Sequence, residues 1–370
     1  MGEANRTGGG NDTGVQDLDE LRKISPRRAG SEAERRAARH LEKRLQELGR
    51  EARIEPIRVR PDFGLTYAIH AVAGVVASVL SVYAPLPGLA LAAATTISAF
   101  GDLTGTFELV RRLMPVRASQ NVISEEDNGK PGLIVLVAHY DAPLTGMLLE
   151  RRLGTWPRAV IISLSVITIC AIGRVLGISS TPFTVIQFIP TVVLIAVTPL
   201  FVELAISNTN DGAADNAAGV ATALRVAESH SGRLTHFNLT VLLTGASAHF
   251  GLGMRAWLKE NRKNLDPEAT AVISLDNLGS GTSAYAAKEG PILYSHMNPT
   301  LVEMVSDSGA AYNSTELSDA YLVRSAGVPA LRISTTERGT EPDPDTLARV
   351  HDFTAALLEK IDEEIGPELG

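Results

Sequence analysis

Two histidines and three aspartates carry the chemistry that the spacing of this chain allows. His139 and Asp141 close the apolar run GLIVLVA at 132–138, and His249 lies just past NLTVLL at 238–243, in TGASAHF. Asp276 follows AVISL at 271–275, and Asp215 sits in NDGAADNAAG ahead of Val220, Leu224 and Ala227 at helical spacing. Short apolar runs that end in polar clusters read as buried strands, and in an open α/β sheet ligands bind beyond the carboxyl ends of such strands. Imidazole nitrogen and carboxylate oxygen are donors that zinc takes. Asp141, two residues past His139 on an extended chain, would face the same side and could accept the second ring proton of that histidine. Asp215 could bridge two metal ions, which would then act as Lewis acids and water activators. Each residue also has an ordinary reading, since Asp and Asn are common N-caps and a single strand-end His is commonly just hydrogen-bonded. It is the convergence of the set that carries the expectation.

The elements that must position these residues are legible in the surrounding sequence. SEAERRAARHLEKRLQELG at 31–49 predicts an amphipathic helix, with Ser31 as N-cap, Glu34 completing a capping box and Gly49 as its stop. A strand is expected at 51–59, and residues 1–17, rich in Gly, Asn and Thr, are expected to be disordered. With 370 residues the chain is long enough for one large α/β domain or two ordinary ones, and its net charge of −8 argues against nucleic acid as a partner. Its single cysteine, Cys170, excludes an intrachain disulfide and a Cys-based zinc site.

Four stretches are too apolar for an ordinary soluble domain. Leu65 to Tyr83 has no formal charge, and after the PLPG break a second run extends to Asp102. Ala159 to Leu176 and Phe183 to Ile206 form a similar pair, the last containing Pro190 and Pro199. Each approaches the ~20 residues that a helix needs to cross a bilayer. Two transmembrane hairpins are therefore expected, at 65–109 and 155–207, with membrane lipid around them and buried core helices as the alternative. Basic residues crowd the segments outside the spans, and the hairpin tips contain only Arg174, so the soluble part is expected on the cytoplasmic side of a bacterial plasma membrane. His70 and Glu203 are ionisable groups at membrane depth, Glu203 close enough to the end of its span to reach the interface.

Five motifs in order resemble peptidase family M28, the co-catalytic zinc aminopeptidases and carboxypeptidases, to which glutaminyl cyclases are related in fold. They are QNVI with GLIVLVAHYDA, NDGAADNAAGVATALRVAE, TVLLTGASAHFGLGMRAW, AVISLDNLGSG and LSDAYLVRSAGVPALRI, preceded by the helix PRRAGSEAERRAARHLEKRLQELG. The resemblance implies a three-layer αβα domain with a mixed, mostly parallel sheet, assembled from 18–64, 110–150 and 208–366 and interrupted by the two hairpins. It also implies that His139 binds one zinc, Asp215 bridges, Asp276 binds the other zinc, and Asp141 orients His139.

The departures from the family pattern shape the functional expectation. Ala248 stands where the family has the general-base Glu, and His249 where it has a ligand Glu. The family's last ligand, a His before the C-terminal helix, has no counterpart in ISTTERGTEPDPDTL, and His351 lies beyond it as a surface or packing residue. One zinc held by His139, Asp215 and His249 is what the chain retains. Loss of a general base costs about 10²–10⁴-fold. Two readings follow: a weak or altered single-zinc hydrolase of a peptide or other amide, or a pseudopeptidase serving as a cytoplasmic peptide-binding or regulatory domain on a membrane anchor.

Overall fold

The computed structural model describes residues 8–150, 155–210, 212, 216–337 and 341–365. In chain order its elements begin with α1 (Gly8–Lys23), α2 (Glu32–Glu47), β1 (Arg53–Val59), α3 (Phe63–Tyr83), α4 (Pro85–Thr104), β2 (Arg117–Ser124) and β3 (Gly132–His139). Next come α5 (Met147–Glu150), α6 (Trp156–Val175), α7 (Thr181–Ile206), α8 (Ala218–His230), β4 (Phe237–Thr244), α9 (Leu252–Asn261) and β5 (Thr270–Leu275). The chain continues through β6 (Ser280–Glu289), β7 (Ser295–His296), α10 (Pro299–Val305), β8 (Ala310–Ser314), α11 (Asp319–Ser325), β9 (Ala330–Glu337) and α12 (Pro344–Lys360). The chain divides into two compact units, one of residues 1–59, 117–143 and 209–370, the other of residues 60–116 and 144–208.

The first unit is built on a nine-stranded sheet of order β1-β2-β4-β3-β5-β9-β6-β7, with β8 paired to β6. Its centre, β4-β3-β5-β9, is parallel, whereas β1, β2 and β7 pair antiparallel, as do β6 and β9. The sheet is thus mixed: the strands that end at the candidate site are parallel, and so are β6 and β8. Ile134 to Ala138 on β3 are all buried, which requires cover on both faces of the sheet, the condition that lets a parallel strand be continuously apolar. Helices α1, α8 and α12 pack with one another, α8 lying against β3, β4 and β5, while α9 packs on α11 and on β1 and β2.

Helix α2 starts as its sequence demands: the Ser31 side chain accepts from the Glu34 N–H, and its buried stripe is Ala37, Ala38, Leu41 and Leu45. Helix α1 departs from the expectation of disorder over 1–17. Its packing is the reason, because Leu18 and Leu21 are buried and Asp17 pairs with Arg44 of α2 at 2.7 Å. Tertiary contact, not local propensity, holds this segment. Residues 1–7 lie outside the described ones.

The second unit is a bundle of α3, α4, α6 and α7, in which α3 packs on the other three and α6 on α4 and α7. All four are long and apolar enough to cross a membrane. The PLPG segment, expected as a break, forms the first turn of α4, since Pro is tolerated at a helix start, and α7 continues through Pro190 and Pro199. The bundle buries polar side chains among apolar ones and exposes apolar side chains on its outside. Val72, Val76, Ile162, Ile169, Phe188 and Ile189 are exposed, Ile169 by 64%. Buried hydrogen bonds link Ser78 to Thr191 (2.7 Å), Gln187 to Ser81 (2.9 Å) and His70 to Ser98 (2.9 Å). Such an arrangement suits a hydrocarbon solvent, where internal polar pairs hold helices together. Arg174 is satisfied by Gln187 and Thr184, and Glu203 accepts the Met147 N–H.

Candidate functional site

Register brings the strand ends together. In the β3–β4 pairing His139 lies opposite Thr244, and in the β3–β5 pairing Val137 lies opposite Ser274, so His139 stands between the ends of its two parallel neighbours. Helix α8 passes close behind. A Cβ on Gly219 would lie 2.6 Å from the Leu275 carbonyl oxygen, so the approach of this helix to β5 requires glycine.

His139 is buried, its Nδ1 3.3 Å from the Asp141 carbonyl oxygen and 3.4 Å from Asp141 Oδ1. Its Nε2 lies 3.4 Å from Asp276 Oδ1. The Asp141 carboxylate accepts from the backbone N–H groups of Ser247 (2.9 Å) and Ala248 (3.1 Å). It therefore clamps the turn after β4 as well as facing His139. That turn bends at Ala246, whose φ of 51° is unusual for a residue with a Cβ, and its N–H is held by Glu34 Oε1 at 2.9 Å. Burial lifts the Glu34 carboxyl to about 8, with the charge of Asp141 adding to the rise against the donors Ser119, Gly30 and Ala246.

In the same turn Ala248 offers no side-chain donor or acceptor. Burial pushes the His249 imidazole down to about 4, Asp141 opposing and His139 and Arg28 adding to the fall, so it is neutral near pH 7. Asp276 donates its N–H to the Ile333 carbonyl at 3.1 Å, and its Oδ2 lies 2.9 Å from Arg332 Nη2. Asp215 lies outside the described residues. Beside it in sequence, buried Asn216 donates from Nδ2 to the Asp141 carbonyl and accepts from Arg27 Nη2 at 2.7 Å. His351 sits apart on α12, its Nε2 3.2 Å from Ser229 Oγ and its Nδ1 2.9 Å from Asp352.

Three residues escaped the sequence reading. Arg27 donates from Nε to the Tyr140 carbonyl at 2.8 Å, tying the turn after β3 to Asn216. Arg332 reaches Asp276 from β9. Asp319, at the start of α11, accepts from Thr244 Oγ1 at 2.7 Å, while its buried Oδ1 has no hydrogen-bond partner among the described residues. Burial raises the Asp319 carboxyl to about 7, and the charges of His139, Asp276 and Asp141 all act on it. The quoted motif LSDAYLV contains this aspartate, but nothing in its local spacing marks it as a neighbour of a strand 75 residues earlier.

Comparison with known proteins adds to this geometry. Residues 197–352 match the profile of peptidase family M28. Over those residues the chain is similar to that family. An aminopeptidase from Aneurinibacillus sp. strain AM-1 superposes with a TM-score of 0.55 at 13% identity, over 97% of this chain and 96% of that one. A glutaminyl cyclase from Fimbriiglobus ruber gives 0.54 at 13% identity, over 94% of both chains. A Zn-dependent exopeptidase from Parabacteroides distasonis gives 0.51 at 11%, over 96% and 98%. At these identities the likeness is one of fold. No curated protein matches the sequence.

The zinc that the M28 fold implies can be tested against the residues present. Among the described residues no group of three or more His, Cys, Asp or Glu side chains is gathered closely enough to hold a metal ion. His139 and His249 are near enough that the charge of the first acts on the second, and Asp215, expected to bridge, lies outside the described residues. Asp276, the carboxylate of the other position, already faces a guanidinium on one oxygen and an imidazole nitrogen on the other. The described residues do not fit a two-metal centre.

Proposed function

We propose that this protein is a pseudopeptidase on a membrane anchor, a cytoplasmic domain of M28 fold whose cleft binds a peptide without hydrolysing it. The observation that carries this reading is the turn after β4. Where a proton acceptor for the attacking water would stand there is Ala248, and the nearest carboxylate, Asp141, is engaged by the N–H groups of Ser247 and Ala248. General-base catalysis needs an acceptor within hydrogen-bond reach of the water, and removing it costs about 10²–10⁴-fold. The four apolar helices support membrane anchorage by length, composition and their exposed apolar faces.

Anisotropy of short fluorescent peptides with the detergent-purified chain tests the reading. Saturable binding is expected, with the peptide recovered at full length and binding weakened by His249→Ala. Absence of binding across peptides of varied termini would count against it.

One observation favours a second reading, a slow amide hydrolase. Among the described residues Asp319 keeps one carboxylate oxygen without a partner, and it is raised to about 7, where an acceptor works well at neutral pH. In that reading zinc held by His139, His249 and Asp215 would supply Lewis acidity, and Asp319 would take the proton. Turnover abolished by Asp319→Asn, with peptide binding intact, would establish it over the first.

A further inference from the structure

Arg332 is an unusual residue for the middle of a buried strand. It lies opposite Ser274 in the β5–β9 pairing, one residue before the Leu275–Ile333 pair, and its side chain is almost wholly buried. From there the guanidinium reaches Asp276 Oδ2 (Nη2, 2.9 Å), Glu289 Oε1 (Nη1, 3.0 Å) and Glu316 Oε2 (Nη1, 2.6 Å), with Ser314 Oγ at 3.4 Å from Nη1. Burial works against its charge, yet the carboxylates of Asp276, Glu316 and Glu289 and the Tyr312 phenol hold its pKa well above that of a free arginine. Glu289 is itself buried and raised by burial, with Arg332 and Ser318 opposing the rise. This is a cation fixed among three acidic side chains, of which Glu289 is fully buried and Asp276 largely so.

We infer that the guanidinium of Arg332 stands permanently in place of the metal ion that Asp276 would otherwise hold. Both oxygens of Asp276 have partners, Arg332 Nη2 on one and His139 Nε2 at 3.4 Å on the other. A divalent ion entering there would meet a positive charge that cannot deprotonate. The carboxylates need a cation, because unpaired buried charges are strongly unfavourable, and the chain supplies one covalently. The second metal position is therefore closed by an ion pair. The inference is independent of whether the cleft hydrolyses peptides, since metal counts and not turnover decide it.

Removing the guanidinium should convert the cluster into a metal site. Arg332→Met, dialysed against zinc in detergent and analysed for metal by mass spectrometry, is expected to hold about one more zinc per chain than the native protein. Its melting temperature should rise with added zinc by more than that of the native protein, through preferential binding to the folded state. Adding Asp276→Asn to this variant should abolish the gain. Arg332→Met with Glu289→Gln, which removes one charge of each sign, serves if the single variant does not accumulate. Recovery of folded protein only when zinc is present supports the same conclusion. Equal zinc content and equal zinc response in the native chain and a folded variant would overturn it. So would loss of zinc from the otherwise native chain on Asp276→Asn, or variants that stay unfolded at any zinc concentration.

Discussion

Glu34 and Asp319 are buried carboxyls whose neutral forms are favoured, Glu34 lifted to about 8 and Asp319 to about 7 by burial first of all. A carboxyl whose folded pKa lies above its unfolded value binds its proton more tightly in the folded state. Its contribution to stability is then full below the unfolded value and fades as pH rises through the folded one. Melting temperature should accordingly fall between pH 5 and pH 8. Asp319→Asn, which can still accept from Thr244, should flatten the part of that fall near neutrality, and a fall of unchanged steepness would contradict the assignment. Neither residue stood out in the sequence as part of the site, although Glu34 was legible as a cap of its own helix. What local spacing could not reveal is that its carboxylate also receives the Ala246 N–H, 212 residues away.

Among the elements, helix α2 and the turn after β4 are joined by that same side chain. Glu34→Ala would leave the Ala246 N–H, the Ser119 hydroxyl and the Gly30 N–H without their acceptor. With about 1–3 kcal/mol for each buried group left unsatisfied, and partial relaxation, a loss of about 2–4 kcal/mol is expected in denaturant unfolding. Gly219→Ala should cost about 1–3 kcal/mol by forcing α8 away from the end of β5, despite the better helix propensity of alanine. The strands ending at His139 and Asp276 and the four apolar helices were legible because apolar runs and their polar ends are local signals. The Arg332–Asp276 pair was not, because it depends on the register of β5 against β9, which brings together residues 56 apart. Helix α1 was missed for a related reason, its apolar residues being few and held by partners distant in sequence.

For the whole molecule, the apolar exterior of the second unit predicts its behaviour. Val72, half exposed near the middle of α3, would face lipid, and Val72→Arg should reduce the membrane-integrated fraction. The cost is about 2.5–3.5 kcal/mol for arginine at the centre of a span. Carbonate extraction of membranes reads this directly, and unchanged retention would count against a lipid-facing helix. The charge distribution predicts that a cysteine introduced at Lys263, in the first unit, stays unlabelled by an impermeant maleimide in intact cells. One introduced at Gly177, between α6 and α7, should be labelled, and the reverse pattern would invert the proposed orientation.

The central claim, that this M28-like domain holds a peptide without cutting it, is tested most directly by following intact peptides. The full-length protein in detergent, supplied with zinc, is incubated with a mixture of short peptides of varied amino termini, and bound and free fractions are read by mass spectrometry. The account predicts that a subset is retained and that every member keeps its mass, with no product losing an amino-terminal residue or cyclising. Truncated or cyclised products that vanish on chelation of zinc and with Asp141→Asn would contradict it, and would make the chain an enzyme.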